Sequence, residues 1–334
     1  VITIFHLSDL HIVISGNWNN LRACILKEAQ RVGNERGEGE KLLIVTGDFH
    51  NFWEGGYDKA KAFLEELIAA LGIDPAQDVF VVPGNHDVGS PAAMARFFPD
   101  GSDWDLRQEA SVAWLKANRS AAPNYARHVD MRLASYTPYC DFVRTLGVYP
   151  GDSGRRAASV HVRCWRGRLN LFHLNTTLIA DGTSKTAQQA DVLTATGEDV
   201  WAGVPKDLPA LALGHNSFFD LDASQQIALA VPFKLHNVCA YLCGDTHAEE
   251  TDRHRQMIRL ESGHYGGASI PNVVCVKGAA DEGDTFSDFG LYLHEWDERE
   301  DAVSLRLLRW KPDRDQVRFF CEDDGDHYYI PRLE

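Results

Sequence analysis

An α/β fold built on a buried parallel sheet is what the amino-terminal part of this 334-residue chain predicts. Three observations carry that expectation. Near-continuous β-branched and apolar runs occur at Ile2 to Leu7, Leu42 to Thr46 and Val79 to Val82; stretches with helical spacing lie between them; and each run stops at a small polar cluster. A strand covered on both faces reads as unbroken apolar sequence rather than as an alternation. Ligands of such sheets gather at the carboxyl ends of the strands.

The elements follow in order. The first run stops at Ser8-Asp9, the second at Gly47-Asp48 and the third at Pro83-Gly84-Asn85. The intervening helices are expected at Leu21 to Arg31 and at Lys59 to Leu71, where Ala62, Phe63, Leu67, Ala70 and Leu71 recur at roughly i, i+3/i+4 and i+7. From Gly89 to about Pro150 there is helical spacing without a strand run, which predicts helices at Leu106 to Ala117 and Met131 to Leu146. This segment, about 90–150, lacks a complete core pattern of its own and reads as a helical insertion able to build a lid. Strands resume at Ala158 to Cys164 and Leu169 to Asn175, joined by the turn-like Arg166-Gly167-Arg168 as a hairpin. Then come Leu211 to Leu213, Val238 to Cys243 and Asn272 to Val276, and a second hairpin of Leu291 to Trp296 with Val303 to Trp310. Residues 1–334 read as one large domain with carboxyl-terminal strands at about 290–320.

Composition narrows the function classes. A formal charge of −15 disfavours a general polyanion-binding surface unless metals or local arginines reverse the field. Seven cysteines, an odd number without regular spacing, read as buried thiols in a reducing compartment. No stretch reaches the ~18 consecutive apolar residues of a membrane helix, and no charged n-region followed by an h-region opens the chain. The expectation is a soluble cytoplasmic protein without membrane contact, although a start at Val1 rather than Met leaves a removed segment open.

Five polar clusters carry the chemistry: Ser8-Asp9-Leu10-His11, Gly47-Asp48, Gly84-Asn85-His86-Asp87, Gly214-His215 and Gly244-Asp245-Thr246-His247. Asp, Asn and His offer hard oxygen or borderline nitrogen donors, the set that a two-metal hydrolytic site requires. Asp9 and His11 are two apart just past a strand, so both side chains would share one side if strand geometry persisted. Asp48 has two carboxylate oxygens with which to bridge a pair of ions, and Asn85 has a neutral amide oxygen. His215 and His247 add imidazoles from far along the chain, and Asp245 repeats the Asp9/His11 spacing in mirror order. Singly, each has an ordinary explanation: Asp at a strand end as a turn or cap residue, and Gly-His as one of 14 histidines. Their conjunction at strand ends decides for a metal site.

In this order the motifs resemble the calcineurin-like metallophosphoesterase superfamily, over about Ile2 to Ala280. The resemblance implies two mixed sheets packed face to face and flanked by helices, a four-layer sandwich with a dinuclear centre at one edge. It implies that Asp9, His11, Asp48 and His247 hold one metal, with Asp48, Asn85 and His215 on the other. It also implies in-line attack on phosphorus by a metal-bridging hydroxide, with His86 beside the leaving-group oxygen and Asp87 as its partner. Two departures stand out. Asp245 occupies a place where the family usually has a histidine, and Asn216 follows His215 where another histidine is common. A carboxylate is harder than imidazole, so Asp245 is expected to coordinate and to bias the second site toward Mn²⁺ or Mg²⁺; the rival reading is a weakened or empty second site. The cofactor expectation is two divalent ions, Mn²⁺ first, with Fe, Zn and Mg compatible.

The substrate is a phosphoester, with a nucleotide or nucleic acid among the candidates, and the leading expectation is a phosphodiesterase. A nuclease, a phosphomonoesterase and a catalytically silent metal- or partner-binding module remain open. Arg155, Arg156, Arg163, Arg166 and Arg168 form the densest cationic patch, read first as a solvated hairpin face and otherwise as a phosphate subsite. His50, Asn51 and Asn175 could line the cleft. Trp104, Trp114 and Tyr125 of the insertion pack on the core or stack on a base.

Overall fold

The structure, a computed structural model, describes residues 1–12, 16–50, 57–88, 110, 113–115, 117, 123–149, 155–179, 201, 203–218, 221, 223–245, 274–277, 291–298, 302–313, 318–321 and 327–331. Its first sheet holds the parallel strands β1 (Ile2–Leu7), β2 (Lys41–Val45) and β3 (Val79–Val81), the three apolar runs read from sequence. On the other side of β1 lies the antiparallel hairpin β9 (Leu291–Glu298) and β10 (Ala302–Asp313). The far edge of β10 carries β11 (Arg318–Cys321) and β12 (His327–Pro331). The second sheet runs β4 (His161–Trp165), β5 (Leu169–His173), β6 (Ala210–Leu213), β7 (Val238–Cys243) and β8 (Val274–Lys277), parallel except for β4.

Strand alternation assigns the layers. Ile2, Ile4, Leu42, Ile44, Phe80 and Val82 face Trp165, Leu169, Leu171, Leu211, Leu213, Ala240 and Leu242 of the second sheet. Their sequence neighbours Phe5, Leu7, Leu43, Val45, Val79 and Val81 point the other way, onto helices. Those helices are α1 (Gly16–Glu35) through Ile25, Ala29 and Val32, and α2 (Asp58–Leu71) through Phe63, Leu64 and Leu67. The outer face of the second sheet, Phe172, Ala212 and Tyr241 among it, packs on α6 (Ala223–Leu235) through Leu229 and Phe233. Two mixed sheets between helical layers is the sandwich that the resemblance implied.

Several boundaries differ from the sequence reading. The single helix expected at Met131 to Leu146 is two, α4 (Tyr125–Leu133) and α5 (Thr137–Thr145), separated by a 3₁₀ turn at Ala134–Tyr136. Pro138 lacks an N–H and stands in the first turn of α5, where that costs nothing, so the helix restarts there. Tyr139, Phe142 and Val143 of α5 enter the same core as α1 and α2. Most of the helix expected at 106–117 and Trp104 lie outside the described residues. Arg155–Ala158 forms a 3₁₀ turn, and β4 begins only at His161. Helix α6 escaped the sequence reading because Pro232 and an almost continuous apolar run hide its period. Among the described residues no helix is long and apolar enough to cross a membrane. Cys140 and Cys243 are buried thiols, and Cys164 is exposed.

The arginine patch is structural. Arg166 (φ 49°) and Gly167 (φ 69°) make the tight turn between β4 and β5, closed by Arg168 N–H donating to Trp165 O at 2.9 Å. Arg163 donates to Val79 O at 2.8 Å and to Ala76 O at 2.6 Å, and its guanidinium lies 4.2 Å from the Phe80 ring centre. Arg166 donates Nε and Nη2 to the two oxygens of Asp78 at 2.9 and 3.0 Å, while Trp165 Nε1 donates to Asp78 Oδ1 at 2.8 Å. Arg168 reaches Gly39 O at 3.0 Å. These contacts clamp the hairpin to α3 (Pro75–Asp78) and to the amino end of β3, away from the carboxyl ends where the polar clusters sit. The phosphate-subsite reading of Arg163, Arg166 and Arg168 therefore falls; the side chains of Arg155 and Arg156 lie outside the described residues.

Burial alone pushes the Asp78 carboxyl up, but the hydrogen bonds from Arg166 and Trp165 override it and hold the group below its ordinary range. A depressed carboxylate contributes stability that is present above its unfolded pKa and lost as pH falls through the folded one. Asp78→Asn is expected to lower unfolding stability by about 1–2 kcal/mol at neutral pH, since Arg166 stays in reach of solvent. Urea titrations should show the gap between wild type and variant closing in acid; a gap independent of pH contradicts the ion-pair account.

Candidate metal centre

Beyond β1 and β2 the two chains stay zipped. Thr46 N–H donates to Leu7 O at 3.0 Å, Asp9 N–H to Gly47 O at 3.1 Å and His11 N–H to Asp48 O at 3.1 Å. Strand geometry does not persist, however. Asp9, His11 and Asp48 have φ of 50°, 36° and 55°, and Asp245 has 76°, all in the left-handed region. Their side chains are aimed by successive tight turns rather than by strand alternation, which replaces the one-side argument made from the Asp9/His11 spacing. Non-glycine residues in this region carry strain that clusters at functional sites.

Two glycines permit the approach of the loops. A Cβ on Gly84 would run into the Asp48 carboxylate, and one on Gly244 into Ser8 and the Asp9 carboxylate. Asp48 is almost fully buried and lies at the centre. Its Oδ2 is 3.3 Å from His215 Nε2 and 3.7 Å from both His11 Nε2 and His86 Nε2, while its Oδ1 accepts from His86 N–H at 2.9 Å. His215 Nε2 also meets Asn85 Oδ1 at 2.8 Å and Asp245 Oδ1 at 3.7 Å. The other ring nitrogen, Nδ1, is 2.7 Å from Thr46 O, which fixes the ring plane. Asp9 accepts from Asp245 N–H on both oxygens at 3.1 Å. The structure thus brings Asp9, His11, Asp48, Asn85, His86, His215 and Asp245 together, while His247 lies outside the described residues.

Burial and neighbouring charges shape the electrostatics of the cluster. Burial, aided by Asp48 and Asp245 and opposed by His215, pushes the Asp9 carboxyl up to about 8. Burial also acts to raise Asp48, but His215, His11 and His86 override it and hold that carboxyl well below its usual range. Burial acts to lower His215, yet Asp48, Asp9 and Asp245 raise it well above an ordinary imidazole. Buried carboxylates thus favour positive charge on the His215 imidazole beside them. Divalent cations fit this donor set: Asp9, Asp48 and His215 offer ligand atoms within 4.8 Å of one another, and so do His11, Asp48 and His86. Asp48 belongs to both groups.

Residues around the centre brace it. Asp87, paired with His86 in the sequence reading, directs Oδ2 to the N–H groups of Asp48 (2.9 Å) and Gly84 (2.8 Å), and Oδ1 to the Tyr57 hydroxyl (3.1 Å). Its hydrogen bonds hold the two ligand loops, and burial with the nearby Asp48 charge pushes it up to about 7. His50 is buried against Tyr57, ring centres 4.6 Å apart, and Asn51 lies outside the described residues. Asn175 is committed to Ala158 O at 2.7 Å and to Thr177 N–H at 3.0 Å, so it is a loop brace rather than a cleft-lining group. Tyr125 is buried with Leu115 and Ile179, and Trp114 stacks on His128 at 4.2 Å. Sequence reasoning missed Thr176, whose hydroxyl accepts from His215 N–H at 3.1 Å and Asn216 N–H at 3.0 Å. The polar Asn175-Thr176-Thr177 at the end of an apolar strand was the available signal.

With this geometry in place, the comparison with known families decides the matter. The family model described as calcineurin-like phosphoesterase matches residues 2–249. The chain belongs to that family. No curated protein matches it. Among solved structures, it is similar to a 5′-nucleotidase precursor from Thermus thermophilus, at 13% identity and a TM-score of 0.40, covering 99% of this chain and 54% of that one. The chain therefore spans about half the length of that protein. The clustered Asp and His side chains are candidate ligands for the divalent ions that this family uses.

Buried carboxylates of this cluster repel one another, so a cation bound among them should stabilise the fold. Divalent ion at one hundred times its Kd adds about 2.7 kcal/mol. A thermal melt of chelator-treated protein against the same sample with Mn²⁺ is expected to show a rise of about 4 °C; identical melts count against a cation site here.

Proposed function

We propose that this phosphoesterase is a phosphodiesterase with a dinuclear centre, loaded with Mn²⁺ in preference to softer ions. The observation that carries the reading is the place of Asp48, whose carboxylate lies within ligand reach of Asp9 and His215 on one hand and of His11 on the other. Asn85 and Asp245 add oxygen donors beside His215, at 2.8 and 3.7 Å from its Nε2, and His247 is proposed to complete the set. Two bound cations would supply Lewis acidity toward the phosphoryl oxygens and a water of lowered pKa.

The chain's own residues do the rest. Asp87 and Tyr57 keep the Asp48 and Gly84 loops in register, and Thr176 does the same for His215 and Asn216. His86 is less buried than the other two imidazoles of the cluster, with 12% of its side chain exposed against 3% for His11 and none for His215, so it is the imidazole placed to meet a substrate. It would donate a proton to the departing oxygen, the step on which a poor alkoxide leaving group depends. That requirement favours a diester over an activated monoester. A specific observation favours a second role: the ring lies with His11 and Asp48, centres of the two imidazoles 4.9 Å apart, so His86 is also placed to ligate.

Hydrolysis of bis-p-nitrophenyl phosphate and p-nitrophenyl phosphate, with Mn²⁺ and with chelator, tests the reading; metal-dependent turnover favouring the diester is expected. Preference for the monoester, or for an oligonucleotide, reassigns the substrate. No metal-dependent release from any of them favours a silent binding module. In parallel, His86→Ala is expected to cost about 100-fold or more in turnover of diesters with poor leaving groups, with little loss for good ones. A fall of one ion per chain by metal analysis would make His86 a ligand instead.

A further inference from the structure

Asn216 is nearly buried, and three separate contacts fix it beside the centre. Its N–H donates to Thr176 Oγ1 at 3.0 Å, its carbonyl accepts from the Tyr241 hydroxyl at 2.9 Å, and its side-chain Nδ2 donates to Asp245 Oδ2 at 2.9 Å. Asp245 is held from its own backbone as well, since its N–H donates to both carboxylate oxygens of Asp9 at 3.1 Å. With Oδ2 engaged by the amide, Oδ1 is the oxygen that faces His215 Nε2, at 3.7 Å. The backbone at Asp245 sits at φ 76°, a conformation that Asp tolerates better than most side chains.

We propose that Asn216 is a positioning residue for the metal centre: its amide holds one oxygen of Asp245 so that the other is presented to a cation beside His215. This rests on the dinuclear reading above. The two sequence departures, Asp245 and Asn216, then explain one another. A free carboxylate can swing or chelate through both oxygens; one oxygen tied to an amide donor leaves a single hard donor in a set direction. An Asn at this place donates through a neutral group, so it orients Asp245 without withdrawing the negative charge that attracts the ion. Groups in the second layer of a metal site typically carry 10–100-fold in affinity.

The test uses the full chain and Mn²⁺ alone. Stoichiometry and affinity are read by calorimetry and metal analysis, and the two-ion state by the exchange-coupled signal in electron paramagnetic resonance. Wild type is expected to bind two ions. Asn216→Leu, which keeps the backbone contacts and deletes the donor, should weaken one of them by at least 10-fold, and Asp245→Ala should weaken the same one further. The double variant should be no weaker than Asp245→Ala, because the amide then has nothing to hold. Asn216→Gln, which keeps an amide, should recover part of the loss; it also serves if circular dichroism shows the Leu variant misfolded. Wild-type affinities in Asn216→Leu, or losses that add in the double variant, overturn the positioning role while leaving coordination by Asp245 intact. Two wild-type affinities in Asp245→Ala overturn both the coordination and this proposal. A single ion in wild type fails the dinuclear reading itself, and the proposal with it.

Discussion

Carboxylates gathered in the interior of the fold are the constraint on which the rest of this structure depends. Asp9, Asp48 and Asp87 are each at most 1% exposed, and the charge of Asp48 acts on both of the others. Burying an ion without a partner costs several kcal/mol, so such an arrangement persists only where compensating charge and hydrogen bonds are supplied. Three imidazoles provide part of that compensation around Asp48, and backbone N–H groups provide more at Asp87 and Asp9. Cations bound by the same donors are the natural remainder.

The fold converts that constraint into geometry through its loops. Every cluster leaves the sheets at a carboxyl end, and the β1 and β2 chains continue to pair as they leave, so Asp9 and Asp48 are set by backbone hydrogen bonds before any side chain acts. Left-handed turns then aim the side chains, at a cost the surrounding sandwich absorbs. The second sheet contributes in the same manner, since Gly244 N–H donates to His215 O at 2.8 Å and Gly214 N–H to Leu242 O at 3.0 Å. The insertion participates too. Tyr136 donates to Thr177 O at 2.6 Å and Arg132 to Leu178 O at 2.6 Å, gripping the loop whose Thr176 orients His215. Helices α4 and α5 are thereby coupled to the centre through a brace rather than through a direct ligand.

Legibility in the sequence varied with how local the cause was. The three amino-terminal strands were readable because a strand buried on both faces must be apolar throughout, and the β4 and β5 hairpin because Gly167 supplies the turn. The break between α4 and α5 had a local signal in Pro138 that helical spacing overrode. Helix α6 and strands β11 and β12 had no clean period, and tertiary packing or pairing defines them. The arginines of the hairpin looked like a surface patch because sequence cannot show that Asp78 and the carbonyls of Ala76 and Val79 lie opposite them.

By itself the sequence determined the donor types, their order and their placement at strand ends, because apolar runs and polar stops are consequences of burial along the chain. The family resemblance marked Asp245 and Asn216 as departures. Only the tertiary structure decided that Asp48 lies between two ligand groups, that Asp87 binds the backbone amide of Asp48, and that Asn216 holds Asp245. The last two relations join residues 39 and 29 positions apart, and both end on turns at positive φ. Contacts of that kind depend on where separate strands are brought by sheet pairing, which no local pattern encodes.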